Sequence, residues 1–204
     1  MTDETLPMVF VDDGHLGGYV KSDHNWPDGD PCTYCPKVWD WLLARYKPKT
    51  LLDVGCAEGH AVRYFRCAGV EAFGVEGCRR ALDESVAPRE SLVEHDYTKG
   101  PLPWRWAARR FDIVWCCEFV EHVDAAFEEN FLSTFDLADV VCMSHAFPGQ
   151  GGHHHVNCRL REYWTERMAA RGFSVAAEAI RETRALDRSD GHWARSGLVF
   201  IRPR

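Results

Sequence analysis

"TLLDVGCAEGH", Thr50 to His60, is the stretch that decides the fold. Thr50–Val54 is a short apolar run of the kind a buried strand requires. Gly55 and Gly59 then let the backbone turn tightly and approach a ligand without a Cβ in the way. His60 opens "HAVRYFRCAG", an amphipathic helix with Gly69 placed to cap its end. A strand that turns through glycines into a helix is the repeating unit of an open α/β sheet. Ligands of such sheets bind beyond the carboxyl ends of the strands, so the turn at 55–59 is the first candidate for ligand contact.

The pattern continues on both sides. Upstream, "PKVWDWLLARY" has Pro36 in the first helical turn. Val38, Trp39, Leu42, Leu43 and Tyr46 form its apolar face at helical spacing. Downstream, "EAFGVE" reads as a second strand, "CRRALDES" as a helix, "SLVEHD" as a third strand and "FDIVWCC" as a fourth. A helix through "DAAFEENFLSTF", a fifth strand "DVVCMSHAF" and the helix "LREYWTERMAARG" follow. "FSVAAEA" and "GLVFIRP" read as two last strands with no clear helix between them, which predicts an antiparallel pair. The alternation before them predicts βαβ units in a mostly parallel sheet with helices on both faces. Residues 1–35, rich in Asp, Gly, His and Pro, read as an irregular arm or lid. The expected organisation is therefore an arm over 1–35 and one α/β domain over 36–204.

Composition narrows the function classes. The 204 residues suit a single domain. The formal charge, 24 − 31 = −7, disfavours duplex nucleic acid, which needs several phosphates neutralised. No apolar run is long enough to span a bilayer, and the N-terminus lacks the features of a signal peptide. Of nine cysteines, Cys56, Cys116, Cys117 and Cys142 sit in or beside apolar runs, where free Cys behaves as a small hydrophobe. A reducing, cytoplasmic location is expected. Cys32 and Cys35 form a lone "CTYC" with no second pair to complete a structural zinc site, and read as a turn carrying two thiols.

Two acidic residues end strands at the presumed ligand edge. Glu76, followed by Gly77, closes "FGVEG", where a carboxylate can accept hydrogen bonds from both hydroxyls of a ribose. Asp96 closes "VEHDYT", where it can bond an adenine amino group with Tyr97 beside the ring. The ordered set "DVGCAEG", "GVEG", "EHDYT" and "FDIVWCCEFVEHV" resembles the class I S-adenosylmethionine-dependent methyltransferases over residues 38 to 204. The resemblance implies a Rossmann-like, seven-stranded sheet. It also implies that Asp53, Gly55, Ala57 and Gly59 cradle the methionine part and ribose of the donor, with Gly77 and Glu118 in the same set. Ala57 departs from the glycine more usual there, and a slightly tighter pocket floor is expected.

"FDIVWCCEFVEHV" also crowds charge against the end of a strand. If a helical turn begins at Glu118, then Glu118, Glu121 and His122 share one face. Neighbouring carboxylates repel, which raises a pKa or calls for a cation. Oxygen ligands with one imidazole suit Mg²⁺ or Mn²⁺, and could hold Zn²⁺ or Fe²⁺. "SHAFPGQGGHHHVNCRLREYW" sets His153, His154 and His155 on a loop above the same edge. "ExxEH" with a later His resembles ubiquinone-biosynthesis O-methyltransferases and small-RNA 3′-terminal 2′-O-methyltransferases. In the latter such residues hold a divalent metal over vicinal ribose hydroxyls. The resemblance points to His155 first and His154 second, giving Glu118, Glu121, His122 and His155 as candidate metal ligands. His122, His155 and His154 are the candidate catalytic bases. The plainer reading is that Glu121 and His122 only support the site wall. His145 reads as a packed core histidine.

"LPWRWAARR" puts Trp104 and Trp106 among Arg105, Arg109 and Arg110. It is either a stacking surface for single-stranded nucleic acid or an amphipathic surface helix. Little chain remains for an acceptor domain, so the expected activity is O-methylation of a small hydroxylated metabolite or sugar with S-adenosylmethionine as donor. An RNA 3′-terminal 2′-O-methyltransferase and a non-catalytic cofactor-binding regulatory or scaffold protein are the alternatives. Oligomeric state is left open.

Overall fold

The computed structural model describes residues 7–203, so Met1–Leu6 of the expected arm lie outside the described residues. The arm is only partly irregular: residues 22–35 are turns and bends, but the stretch before them is ordered. β1 (Val9–Asp12) and β2 (Gly18–Lys21) form an antiparallel hairpin. Its turn passes through Gly14 and Gly17 at φ +60° and +86°, a conformation that costs little without a Cβ. The "VFVD" and "GYVK" runs are too short to have been read as strands among the glycines and acids around them.

The α/β domain begins with α1 (Pro36–Tyr46), which buries Val38, Trp39 and Leu42. There follow β3 (Thr50–Val54), α2 (His60–Cys67), β4 (Glu71–Glu76), α3 (Arg79–Asp83), β5 (Leu92–Glu94), α4 (Trp104–Ala107) and β6 (Phe111–Cys116). Then come α5 (Glu128–Phe135), β7 (Ala138–Met143), α6 (Arg161–Ala170), β8 (Ser174–Val175), α7 (Ala177–Leu186), α8 (His192–Ser196) and β9 (Leu198–Ile201). The sheet has seven strands in the order β5-β4-β3-β6-β7-β9-β8. β3 pairs in parallel with β4 and β6, β4 with β5, and β6 with β7. β9 runs antiparallel to both neighbours.

One expectation is corrected here. β8 is only two residues long, and α7 and α8 lie between it and β9. "AEAIRETRAL" buries Ala179, Ile180 and Thr183 at helical spacing, so the alanines that looked strand-like open a helix instead. The antiparallel pairing stands. α8 proves important, because it carries His192 back to the ligand edge.

The central strands β3, β6 and β7 are buried almost end to end, as parallel strands covered on both faces must be. Trp115 of β6 stacks on Trp193 of α8 with ring centroids 4.4 Å apart, so the C-terminal helix is fixed to the middle of the sheet. At the opposite edge, Asp112 Oδ2 accepts from the N–H groups of Lys49 and Thr50 at 2.6 and 3.0 Å, tying the start of β3 to β6. Asp112→Ala is expected to cost about 1.5 kcal/mol. That is a fall in Tm of about 3–6 °C by thermal denaturation, with ligand affinity unchanged.

The Trp/Arg segment lies at that same distant edge. Trp106 packs on Phe73 with centroids 5.2 Å apart. Arg109 lies 4.4 Å over Phe73 and pairs with Glu71, and Arg110 pairs with Asp139. A short surface helix forms here, and Arg109 and Arg110 just beyond it are matched by acids. Among the described residues, no helix is long and apolar enough to cross a membrane. All nine cysteines are free.

Candidate active site

The sheet reverses its build direction between β3 and β6, and the loops after those strands part there. Such a switch point is where open α/β sheets bind ligands. It opens into a cavity of about 320 Å³. The floor comes from the loops after β3, β4, β5 and β6. The β1–β2 hairpin and the histidine loop lie over it.

At the end of the cavity beside β4, Glu76 is held in one orientation. Its Oε2 accepts from the N–H of Ala57 at 2.8 Å and its Oε1 from the N–H of Cys78 at 2.9 Å. Burial pushes its pKa up, against the pull of those amides. Asp53, also lining the cavity, is pushed well above the usual carboxylate range by burial and then by Glu76. Gly55 sits at φ +76°, and a Cβ there would lie 2.5 Å from the Phe119 ring, so no side chain fits. Ala57 occupies the same left-handed region at φ +45°, a conformation that costs a residue with a Cβ about 1–2 kcal/mol. The departure from glycine is thus backbone strain rather than a tighter floor. Gly59 is displaced from its expected role. It is absent from the cavity wall, and a Cβ there would meet Ala87 and Ser85 at 2.9 Å, so its bareness serves packing behind the loop.

Asp96 stands at the far end of this half of the cavity. Burial would raise it, but Thr98 and His15 hold it well below the usual carboxylate range. His15, from the hairpin turn, lies 3.1 Å from its Oδ2, and Leu16 packs over Gly77. Tyr97 lines the cavity, but its hydroxyl turns inward to Thr134 Oγ1 at 3.0 Å. It therefore supplies wall rather than a hydrogen bond to a ring.

The other half holds the carboxylate–histidine group, built differently from the expected helical face. Glu118 lies at φ +52°, and the turn that follows, Val120–His122, is 3-10. Ser144 fixes this conformation. Its hydroxyl accepts from the Glu118 N–H at 2.7 Å and donates to Glu118 Oε1 at 2.8 Å. Glu118 Oε2 meets His192 Nδ1 at 3.0 Å. Glu118 thereby stands outside the tighter group of Glu121, His122 and His155, whose ligand atoms lie within 4.8 Å of one another. His155 reaches His122 because the N–H groups of Val156 and Asn157 both donate to the Glu121 carbonyl. The two imidazoles sit 5.0 Å apart, edge to face. His154, at φ +50°, is where the loop reverses, and it does not line the cavity. His153 does, and it pairs with Asp12 of the hairpin at 2.9 Å. His145 is buried in the core.

Electrostatics divide the two carboxylates. Burial and the adjacent Glu118 push Glu121 well above the usual range. Burial would raise Glu118 too, but His192 and Ser144 hold it below 4.5. Burial, and then His155, pulls His122 down to about 4, so it is a neutral imidazole at pH 7. His192 is raised above 6.5 by its bond to Glu118. His192 stabilises the fold fully below 6.5 and loses that contribution as pH rises through its raised value. Glu118 contributes above 4.5 and loses it as pH falls through its lowered value. The Tm difference between wild type and His192→Gln is therefore expected to be largest near pH 5–6 and to shrink by pH 9, as read by scanning calorimetry. Sequence reasoning missed His192 and Ser144. A lone His near the C-terminus and a Ser ending a strand carry no pattern of their own.

A seven-stranded sheet in this order, with its cavity at the carboxyl ends and an acidic residue closing β4, defines a class I methyltransferase. The family described as methyltransferase domain matches residues 31–147, more than half of the chain, and the protein belongs to that family. No curated protein matches it by sequence. Solved structures match in fold. Magnesium protoporphyrin IX methyltransferase (ChlM) from Synechocystis PCC 6803, with bound SAH, superposes at a TM-score of 0.59 with 16% identity, over 81% of this chain and 80% of that one. The methyltransferase domain of bacterial CtHen1-C gives 0.56 and 16%, over 83% and 97%. The [4+2]-cyclase SpnF gives 0.57 and 15%, over 94% and 88%. Such identities carry the fold alone, and the cyclase illustrates that one scaffold hosts unlike chemistries.

Proposed function

We propose that this protein transfers the methyl group of S-adenosylmethionine to a hydroxyl of a small molecule. The observation that carries the donor half is Glu76, a half-buried carboxylate held rigidly at the end of β4 and open to the cavity. Gly77 and Asp96 extend this half toward the adenine, and Asp53, Gly55 and Ala57 extend it toward the methionine. SAH bound to the ChlM relative agrees with that assignment. The hairpin of the 1–35 arm serves as a lid.

For the acceptor half, Glu121, His122 and His155 fit a divalent cation. Both Glu121 oxygens are buried, and the side chain in reach of them is the like-charged Glu118, so Glu121 is costly as a bare carboxylate unless a proton or a cation satisfies it. A bound Mg²⁺ or Mn²⁺ would act as a Lewis acid on an acceptor hydroxyl, lowering its pKa. The chain's own residues do the rest. Glu118, fixed by Ser144 and His192, shapes the wall where donor and acceptor meet. Where no cation holds them, His122 or His155 takes the hydroxyl proton; where both imidazoles serve as ligands, the proton passes to solvent. The acceptor oxygen attacks the methyl carbon in line with the departing sulfur, leaving S-adenosylhomocysteine. Orientation in a covered cleft supplies much of the rate.

The same trio favours, as a second reading, 2′-O-methylation of an RNA end, because vicinal ribose hydroxyls suit such a cation. The deciding measurement is transfer of labelled methyl from S-adenosylmethionine, offered separately to hydroxylated small molecules and to single-stranded RNA. Binding of the donor with no transfer to any acceptor would favour the non-catalytic scaffold.

A further inference from the structure

The cavity wall carries seven carboxylate side chains and, among the described residues, no Lys or Arg. Imidazoles are plentiful there, and with the cation that Glu121, His122 and His155 could hold set aside, they are the remaining source of positive charge. Most already face a carboxylate. His15 lies 3.1 Å from Asp96 and His60 lies 3.4 Å from Glu58. His153 lies 2.9 Å from Asp12 and His192 lies 3.0 Å from Glu118. His95 Nε2 faces the Gly100 carbonyl at 3.1 Å, and the His122 ring packs edge to face on His155. His155 Nδ1 faces the Gln150 carbonyl at 3.3 Å.

Unmatched negative charge remains. Glu58 is 1% exposed, lines the cavity, and keeps Oε1 with no partner. Asp28 and Asp30 add two more carboxylates from the segment beside it. The donor brings a sulfonium and an ammonium against one carboxylate, and so it consumes only part of this surplus. A phosphate needs guanidinium, ammonium, free amide or metal-cation partners, and in the chelator-stripped protein, the form to be titrated, the described residues of the wall offer no guanidinium or ammonium. Close like charges in a partly desolvated cleft repel strongly.

We infer that the acceptor is uncharged or cationic where it enters this cavity, and that phosphorylated acceptors, an RNA terminus included, are rejected by the wall itself. The inference deepens the reading above and rests on its donor half.

The test uses aza analogues of S-adenosylmethionine, in which an amine nitrogen replaces sulfur and carries a three-carbon arm into the acceptor space. The arm ends in hydroxyl, ammonium or a phosphate monoester. Isothermal titration at pH 7.5 is expected to show the hydroxyl and ammonium arms binding within three-fold of each other, or the ammonium arm tighter. The phosphate arm is expected to bind at least ten-fold more weakly than either. Any other order overturns the inference. In particular, crowding or desolvation without a sign preference would weaken both charged arms together. If the analogue without an arm fails to bind, the donor assignment itself falls, which separates that failure from this one.

Discussion

Glu76→Ala is expected to abolish measurable binding of S-adenosylmethionine and S-adenosylhomocysteine. Two ribose hydroxyls donating to one carboxylate contribute about 1.5–3 kcal/mol each. Their joint loss corresponds to a weakening of about a hundred-fold or more. The side chain has a second task, since it also accepts from the Ala57 and Cys78 amides at 2.8 and 2.9 Å. Removing it loosens the loop as well as the ligand. Glu76→Gln separates the two contributions. It keeps one carbonyl oxygen in the same place, and a loss of about ten-fold is expected, as for one charged hydrogen bond made neutral. Isothermal titration measures both, with a thermal melt to show that the variants fold. A change of less than three-fold in Glu76→Ala would remove the basis for the donor assignment.

Manganese is the second lever. Glu121, wholly buried and next to Glu118, holds a proton or a cation, because a bare charge there has nothing to satisfy it. If a cation fits, protein stripped with a chelator should gain about 2.7 kcal/mol when Mn²⁺ is added at a hundred times its Kd. For a chain of this size that raises Tm by about 5–10 °C. Glu121→Ala combined with His155→Ala should erase the Mn²⁺ response while leaving the affinity for S-adenosylhomocysteine unchanged, since neither side chain belongs to the donor half. A Tm that ignores Mn²⁺ in the wild type, or that responds equally in the double variant, would return Glu121 and His122 to the role of wall.

Both experiments probe residues that were legible at different levels. Glu76 and Asp96 could be read from their positions alone, because an acid that ends a strand in an open parallel sheet must stand at the ligand edge. Gly55 could be read for the same kind of reason, since only a residue without a Cβ passes beneath Phe119. Gly59 looked identical in the sequence and does something else. A bare α-carbon signals close approach without saying to what. The "HHH" run shows the limit most clearly. Three consecutive identical residues cannot be ranked by type, and their division depends on two amide bonds from Val156 and Asn157 to the Glu121 carbonyl. Those bonds turn His155 toward His122 and leave His154 outside.

The alternation of apolar runs and amphipathic helices by itself determined a mostly parallel sheet, its carboxyl edge and the place of Glu76 and Asp96 at that edge, because each of these follows from local periodicity and chain direction. Only the tertiary structure decided that Glu118 answers to Ser144 and His192, and that a hairpin closes over the cleft. It alone also showed that His15, His60, His153 and His192 each meet a carboxylate. These are contacts between segments up to 153 − 12 = 141 residues apart, fixed by packing that no local pattern encodes.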